Sequence, residues 1–218
     1  MCRLETLVQL VPPLLKGAWV TVQISFFSII LAFVLSFTFG LARLSRFKVI
    51  RLFASFYVEV IRGTSLLVQL FWIYFALPLL GIELSAMMAG VIALGMNAGA
   101  YGAEIVRSAI IAVPKGQTEA TIALNMTPMQ RMRLVVLPQA CVRMLPPFTN
   151  LIVELIKGTA LVSLITLSDL TFQGMLLRTT TMQTMEIFTL LLLIYFLLTY
   201  PCTWGMRWLE RKLSVGRS

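Results

Sequence analysis

The sequence predicts an all-α integral membrane protein with five spanning helices in a single domain, and three observations carry that prediction. Long apolar runs follow one another with only short polar breaks. Of the 218 residues, 59% are hydrophobic and 12% charged, with a mean hydropathy of +0.90, where a soluble domain carries about 25% charged residues. The basic residues collect in alternate polar segments. A spanning helix needs about 20 apolar residues. The expected spans are residues 17–42, 53–80, 84–106, 134–156 and 187–208. The first run exceeds the roughly 7–15 residues of a signal-peptide core and no small-residue cleavage site follows, so it reads as a retained span.

Charge sets the orientation. Arg43, Arg46, Lys48 and Arg51 separate the first two spans, and Arg107, Lys115, Arg131 and Arg133 the third and fourth. Arg207, Arg211, Lys212 and Arg217 close the fifth, which places 12 of the 18 basic residues on one side. Arg3, Lys16, Lys157 and Arg178 fall on the other. Positive loops stay in the cytoplasm, so the amino terminus is expected outside and the carboxyl terminus inside. The same rule accounts for the formal net charge of +9 without any nucleic-acid partner.

Several chemistries drop out. There is no histidine, hence no His-ligated metal and no His-based triad. Cys2, Cys141 and Cys202 have neither metal-ligand spacing nor a disulfide framework. No paired carboxylates share a span, so no catalytic residues, metal site or cofactor are expected. No Gly-x(4)-Gly-Lys-Ser/Thr phosphate loop is present, so the chain cannot cradle ATP in that way. An ion-gradient-driven secondary transporter is the alternative reading. The absence of an inverted repeat, which pairs the halves of many such folds, weighs against it.

The segment Pro114 to Ala140, with a coupling loop at 114–133, departs from the apolar pattern. Gln117 to Leu124 predicts a two-turn helix, with Glu119 near its positive end. Asn125 suits the left-handed residue that ends a helix. Thr127-Pro128 predicts a restart, Thr as N-cap and Pro in the first turn. A helix this short is marginal alone. Ala120, Ala123 and Leu124 give it an apolar face, which either packs on its own bundle or meets a partner protein.

This segment resembles the EAA loop of permease subunits of ABC importers, in the polar amino acid and opine branch. Gly116, Gln117, Glu119, Ala120, Leu124, Gln130 and the run Val135 to Ala140 stand at its pattern positions. The resemblance extends to Gly17-Ala18-x-x-Thr21, Arg62-Gly63-Thr64-Ser65-Leu66-Leu67-Val68-Gln69-Leu70, Ala100-Tyr101-x-x-Glu104-x-x-Arg107 and Lys157-x-Thr159-x-Leu161. Thr121, Asn125, Ser65 and Gly158 depart from the family's Ala, Gly, Pro and Asp. The resemblance implies a type I ABC importer permease fold with a short cytoplasmic coupling helix. It also implies a separate ATP-binding cassette ATPase, a second permease subunit (identical or homologous) and an extracytoplasmic solute-binding protein. Gly116, Glu119, Ala120, Ala123, Leu124 and Asn125 would then couple to the ATPase. ATP-driven closure of the ATPases would swing the path between inward and outward facing, and the cargo would be a polar amino acid or a related zwitterionic or cationic solute, such as an opine or ectoine-like compound.

Polar side chains inside spans mark where that cargo would pass, because a charge at the bilayer centre costs about 2.5–3.5 kcal/mol on insertion scales. Arg143, Asn150, Glu154 and Lys157 share one helical face of the fourth span. Asn97, Tyr101 and Glu104 share a face of the third. Asn97, Tyr101, Asn150 and Glu154 are the substrate-path candidates, with Glu154 suited to an ammonium or cationic group. Other roles remain open. Glu154 could pair with Lys157, and Glu59 with Arg62. Asn97 and Asn150 could be interhelical hydrogen-bond glue, and Glu104 with Arg107 could be structural. Gly90, Gly95, Gly99 and Gly102 predict close helix packing. The 12 methionines predict gap-filling in the bundle. Pro138, Pro146 and Pro147 are expected to interrupt the fourth span beside a cavity.

Overall fold

The structure is a computed structural model that describes residues 2–214, with side chains described from Leu10 to Lys212 apart from Leu209. Arg217, counted above, lies outside the described residues, as do the side chains of Cys2 and Arg3. The described chain is helical throughout. Helix α1 spans Cys2–Ala42, α2 Lys48–Gly63, and α3 Leu66–Phe71, which runs on through a π turn and a 3-10 turn to Leu80. Then come α4 Ala86–Ile111, α5 Lys115–Ala123, α6 Pro128–Arg131, α7 Leu137–Gly158, α8 Leu170–Thr181 and α9 Thr184–Ser214. Four stretches, 10–42, 86–111, 128–165 and 184–212, are each long and apolar enough to cross a membrane. Helix α2 with α3 and its extension passes the same test only as a pair, bent by 103°, and makes a fifth if the pair is one broken span.

Helices α1 and α4 form the centre and run in parallel. Their closeness is set by the small residues of α4. A Cβ on Gly95 would sit 2.6 Å from Leu31, and one on Gly99 2.7 Å from Leu35. Helix α1 answers with a glycine lower down, where a Cβ on Gly40 would meet Val106 at 2.7 Å. The predicted glycines of the third span are therefore packing residues. Helix α7 runs antiparallel to this pair, burying Ala140, Met144 and Phe148 against Val106, Ala109 and Ile110. The Phe148 ring stacks with Phe37 at 6.2 Å between centroids. Helix α9 closes the far side, where Ile187 and Leu191 bury against Leu10, Leu14, Ala18 and Leu170.

Two expectations change. The second span is not one helix, because the chain is extended at Thr64 and Ser65 and turns sharply there. Nor is the fourth span interrupted at Pro146 and Pro147, which lie within continuous α7. The irregular backbone comes earlier, in a π turn at Met132–Val136, where the Leu137 N–H bonds to the Met132 carbonyl immediately before Pro138. The same arrangement recurs at Trp72–Ala76, where Leu77 bonds back to Trp72 immediately before Pro78. A proline ring collides with the carbonyl four residues back, and widening the preceding turn relieves that collision. Helix α8, unexpected from the sequence, is capped by buried Asp169, whose carboxylate accepts from the N–H groups of Phe172 (2.9 Å) and Thr171 (3.2 Å).

Candidate functional site

Two places collect the polar residues singled out by the sequence. The first is the α5 corner. Helix α5 ends as a left-handed cap: Asn125 has φ 56°, its N–H bonds to Ile122, and the Met126 N–H reaches back to Thr121. Both bonds satisfy carbonyls the helix would otherwise leave open. Thr127 then starts α6 with a capping box, its hydroxyl accepting from the Gln130 N–H while Gln130 accepts from the Thr127 N–H. Thr121 is the residue of α5 that turns into the bundle, and it is buried. A bond from Gln139 Nε2 to Gln117 Oε1 (3.1 Å) adds a second tie, from α5 to α7. Gly116, Glu119, Ala120, Ala123, Leu124 and Asn125 are all exposed. Beside them Ile122 (55%), Leu124 (74%) and Met129 (74%) expose large apolar surface on a polar loop.

The second place is a cavity of about 290 Å³ between α2, α4 and α7. Tyr101, Asn150 and Glu154 line it together with Arg62, Glu104 and Ser108. Three of the four predicted path residues are thus brought together. The fourth, Asn97, points elsewhere and donates to Gln69 Oε1 at 3.1 Å. On α7 the exposed face carries Arg143, Asn150, Glu154 and Lys157 along its length. Neither of the alternative local pairs forms: no ion pair joins Glu154 to Lys157 or Glu59 to Arg62 among the described residues. Lys157 instead lines a separate cavity of about 390 Å³ with Tyr195 and Thr199 of α9.

Glu104 is the electrostatic centre of the cavity floor. Arg43, in the turn just after α1, donates to its Oε2, and Arg107 one turn below holds its Oε1 through Nη2 (2.6 Å) and Nε (3.1 Å). These two contacts already neutralise the carboxylate and tie α1 to α4. Arg62 is the third and loosest neighbour, 3.7 Å from Oε2, with its guanidinium 5.2 Å from the centroid of the Tyr101 ring. The cavity therefore presents one cation, Arg62, whose counter-ion Glu104 is shared with two closer arginines, and one carboxylate, Glu154, with no ion pair among the described residues. Sequence reasoning missed Arg62 as a cavity residue. The signal was available in its place one residue before Gly63, where the helix breaks and its last side chain is free to turn inward. Among the described residues no group of His, Cys, Asp or Glu is arranged to hold a metal ion.

A family model described as binding-protein-dependent transport system inner membrane component matches residues 26–215. The chain is 46% identical over 211 residues to a probable amino-acid ABC transporter permease protein, y4tF, of Sinorhizobium fredii, a match covering 94% of this chain and 89% of that one. It is 34% identical over 216 residues to a putative glutamine transport system permease protein, GlnP, of Rickettsia bellii, covering 97% and 99%. Among solved structures, the fold matches that of an amino acid ABC transporter crystallised with histidines. The TM-score is 0.90 at 37% identity, over 95% of this chain and 97% of that one.

Proposed function

The chain belongs to the family of binding-protein-dependent transport system inner membrane components, and from that premise we propose that it forms half of the translocation path of an ATP-driven amino-acid importer. It is a multi-pass permease subunit of the inner membrane. The observation that carries the path reading is the exposed polar face of α7. Arg143, Asn150, Glu154 and Lys157 lie on a helix long and apolar enough to span, and they are exposed in the isolated chain. Ionic side chains at membrane depth face water or protein, not lipid. That face accordingly meets a second permease subunit across an aqueous path.

Arg62 and Glu154 in one cavity suit a zwitterion, the α-carboxylate toward the guanidinium and the α-ammonium toward Glu154. A cationic side chain would serve Glu154 equally, and opine- or ectoine-like solutes share this charge pattern. Charge bias supports the α5 corner as cytoplasmic. There Gly116, Glu119, Ala120 and Ala123 of α5, Leu124 and Asn125 just after it, and the exposed apolar side chains of Ile122 and Met129 form the face that an ATPase subunit would cover. Solute reaches the opposite side on a binding protein. Closure of the ATPases pulls on the α5 corner, and because Thr121 and the Gln117–Gln139 bond tie α5 to the bundle, the pull reaches α7. This is alternating access by rocking of packed helices.

The test is purification of the chain from its native membrane, followed by ATPase assay in proteoliposomes. An ATPase should co-purify, and its turnover should rise when binding protein and amino acid are added. The variant Glu119→Lys should insert normally yet lose ATP-driven uptake. Uptake that persists without ATP, or unimpaired uptake by Glu119→Lys, would overturn this reading.

A further inference from the structure

We infer that Gln69 and Asn97 are positioning residues that hold the corner of the broken second span and thereby fix Arg62 at the wall of the cavity. The corner creates a polar problem at membrane depth. Helix α2 ends at Gly63, the backbone is extended at Thr64 and Ser65, and α3 leaves at 103°. The last carbonyls of α2 lose their helical partners there, and an unsatisfied carbonyl in an apolar surround costs several kcal/mol by order of magnitude.

Gln69 supplies what is missing. Its Nε2 donates to the Ile61 carbonyl at 2.7 Å and to the Thr64 hydroxyl at 2.7 Å. Thr64 in turn donates to the Val60 carbonyl at 2.9 Å. One amide thus satisfies the frayed end of α2 from the first turn of α3. Its orientation is set from a third helix, since Gln69 Oε1 accepts from Asn97 Nδ2 of α4 at 3.1 Å. Packing does not do this work: Gly63 has no neighbour within 4 Å of where a Cβ would stand. Gln69, Thr64 and Ile61 also border a cavity of about 580 Å³, so the corner has open space beside it.

Arg62 lies between Ile61, held by Gln69, and unsupported Gly63. Its guanidinium reaches Tyr101 and Glu104, which sit four and seven residues beyond Asn97 on the same face of α4. The tie therefore sets both the register of α2 against α4 and the direction of Arg62. Asn97, which the sequence suggested as a path residue, acts one step removed from the path.

The inference rests on the cavity reading above, and the experiment separates the two. The assembled transporter, without binding protein, is purified in detergent and probed with labelled L-arginine and L-glutamine. Gln69→Leu keeps the side chain's bulk and removes both its donor and its acceptor. Losing a placed hydrogen bond to a charged group should weaken retention by roughly tenfold or more. In an Arg62→Gln background the same change should weaken it less than about twofold, because the residue it positions is gone. The pair Gln69→Asn with Asn97→Gln, which restores the bond from the other side, should recover part of the loss. Equal weakening in both backgrounds would overturn the positioning role.

A second measurement needs no solute. Amide hydrogen exchange of residues 60–66 should accelerate in Gln69→Leu while exchange in α1 stays unchanged. Unaltered exchange at the corner would also overturn the inference. If the wild-type transporter retains neither amino acid while exchange still accelerates, the cavity reading fails and the corner tie stands.

Discussion

Replacing Asp169 with asparagine should flatten the acid dependence of stability. The Asp169 carboxyl caps α8 from a position with no solvent exposure, between the spans that end at Ile165 and begin at Thr184. Burial pushes its pKa from the ordinary 3.8 up to about 6, against the opposing pull of the Phe172 and Thr171 N–H groups. Among the described residues no cation is bonded to it, and its polar surroundings include the Thr171 and Tyr195 hydroxyls, themselves 2.8 Å apart. The folded chain therefore holds a proton that the unfolded chain has released between pH 3.8 and about 6. Stability falls as pH rises through that window, by about 3 kcal/mol in all and about 1 kcal/mol between pH 5 and 6. Above pH 6 the dependence levels off. Asparagine keeps an acceptor for the helix N-terminus without the charge, so the difference between the two proteins isolates this group. Unfolding in mixed micelles, followed by tryptophan fluorescence from pH 4.5 to 8, reads it directly. Parallel curves for Asp169→Asn and wild type would refute the argument that this carboxyl is desolvated.

Thr166→Gly should stabilise the chain by about 1 kcal/mol, since Thr166 is a β-branched residue held at φ 62° and a left-handed conformation costs a non-glycine residue roughly 1–2 kcal/mol; the same unfolding assay measures it. Gly99→Val should prevent assembly of α1 with α4, because even the first added carbon would stand 2.7 Å from Leu35. Overpacking of this kind costs about 1–3 kcal/mol or more, and loss of a monodisperse peak in size-exclusion chromatography would report it. Glu154→Ala should weaken uptake of cationic amino acids more than of neutral ones in proteoliposomes, by roughly tenfold for a lost charge-assisted contact. Unchanged selectivity would remove Glu154 from the path.

The sequence by itself determined the features that are local or compositional. Helicity and membrane residence follow from apolar runs with almost no charge. The α5 corner follows from neighbours within a few residues of one another, and Asn125, Thr127 and Pro128 act in the structure through the turn chemistry their residue types dictate. The glycines of α4 are legible as packing residues because no other side chain lets two helices approach so closely. Only the tertiary structure decided which polar groups meet. Spacing on one helix offered Glu154 to Lys157 and Glu59 to Arg62, but neither pair forms among the described residues, and Arg62 finds its partners on α4 instead. Arg62 went to Tyr101 and Glu104, Lys157 turned toward α9, and Asn97 was drawn off to Gln69. The bend at Thr64 was marked only by the short polar stretch Arg62-Gly63-Thr64-Ser65 inside an otherwise apolar run. It is held by a glutamine five residues on and an asparagine on another helix, and such a bond exists only once the helices are assembled.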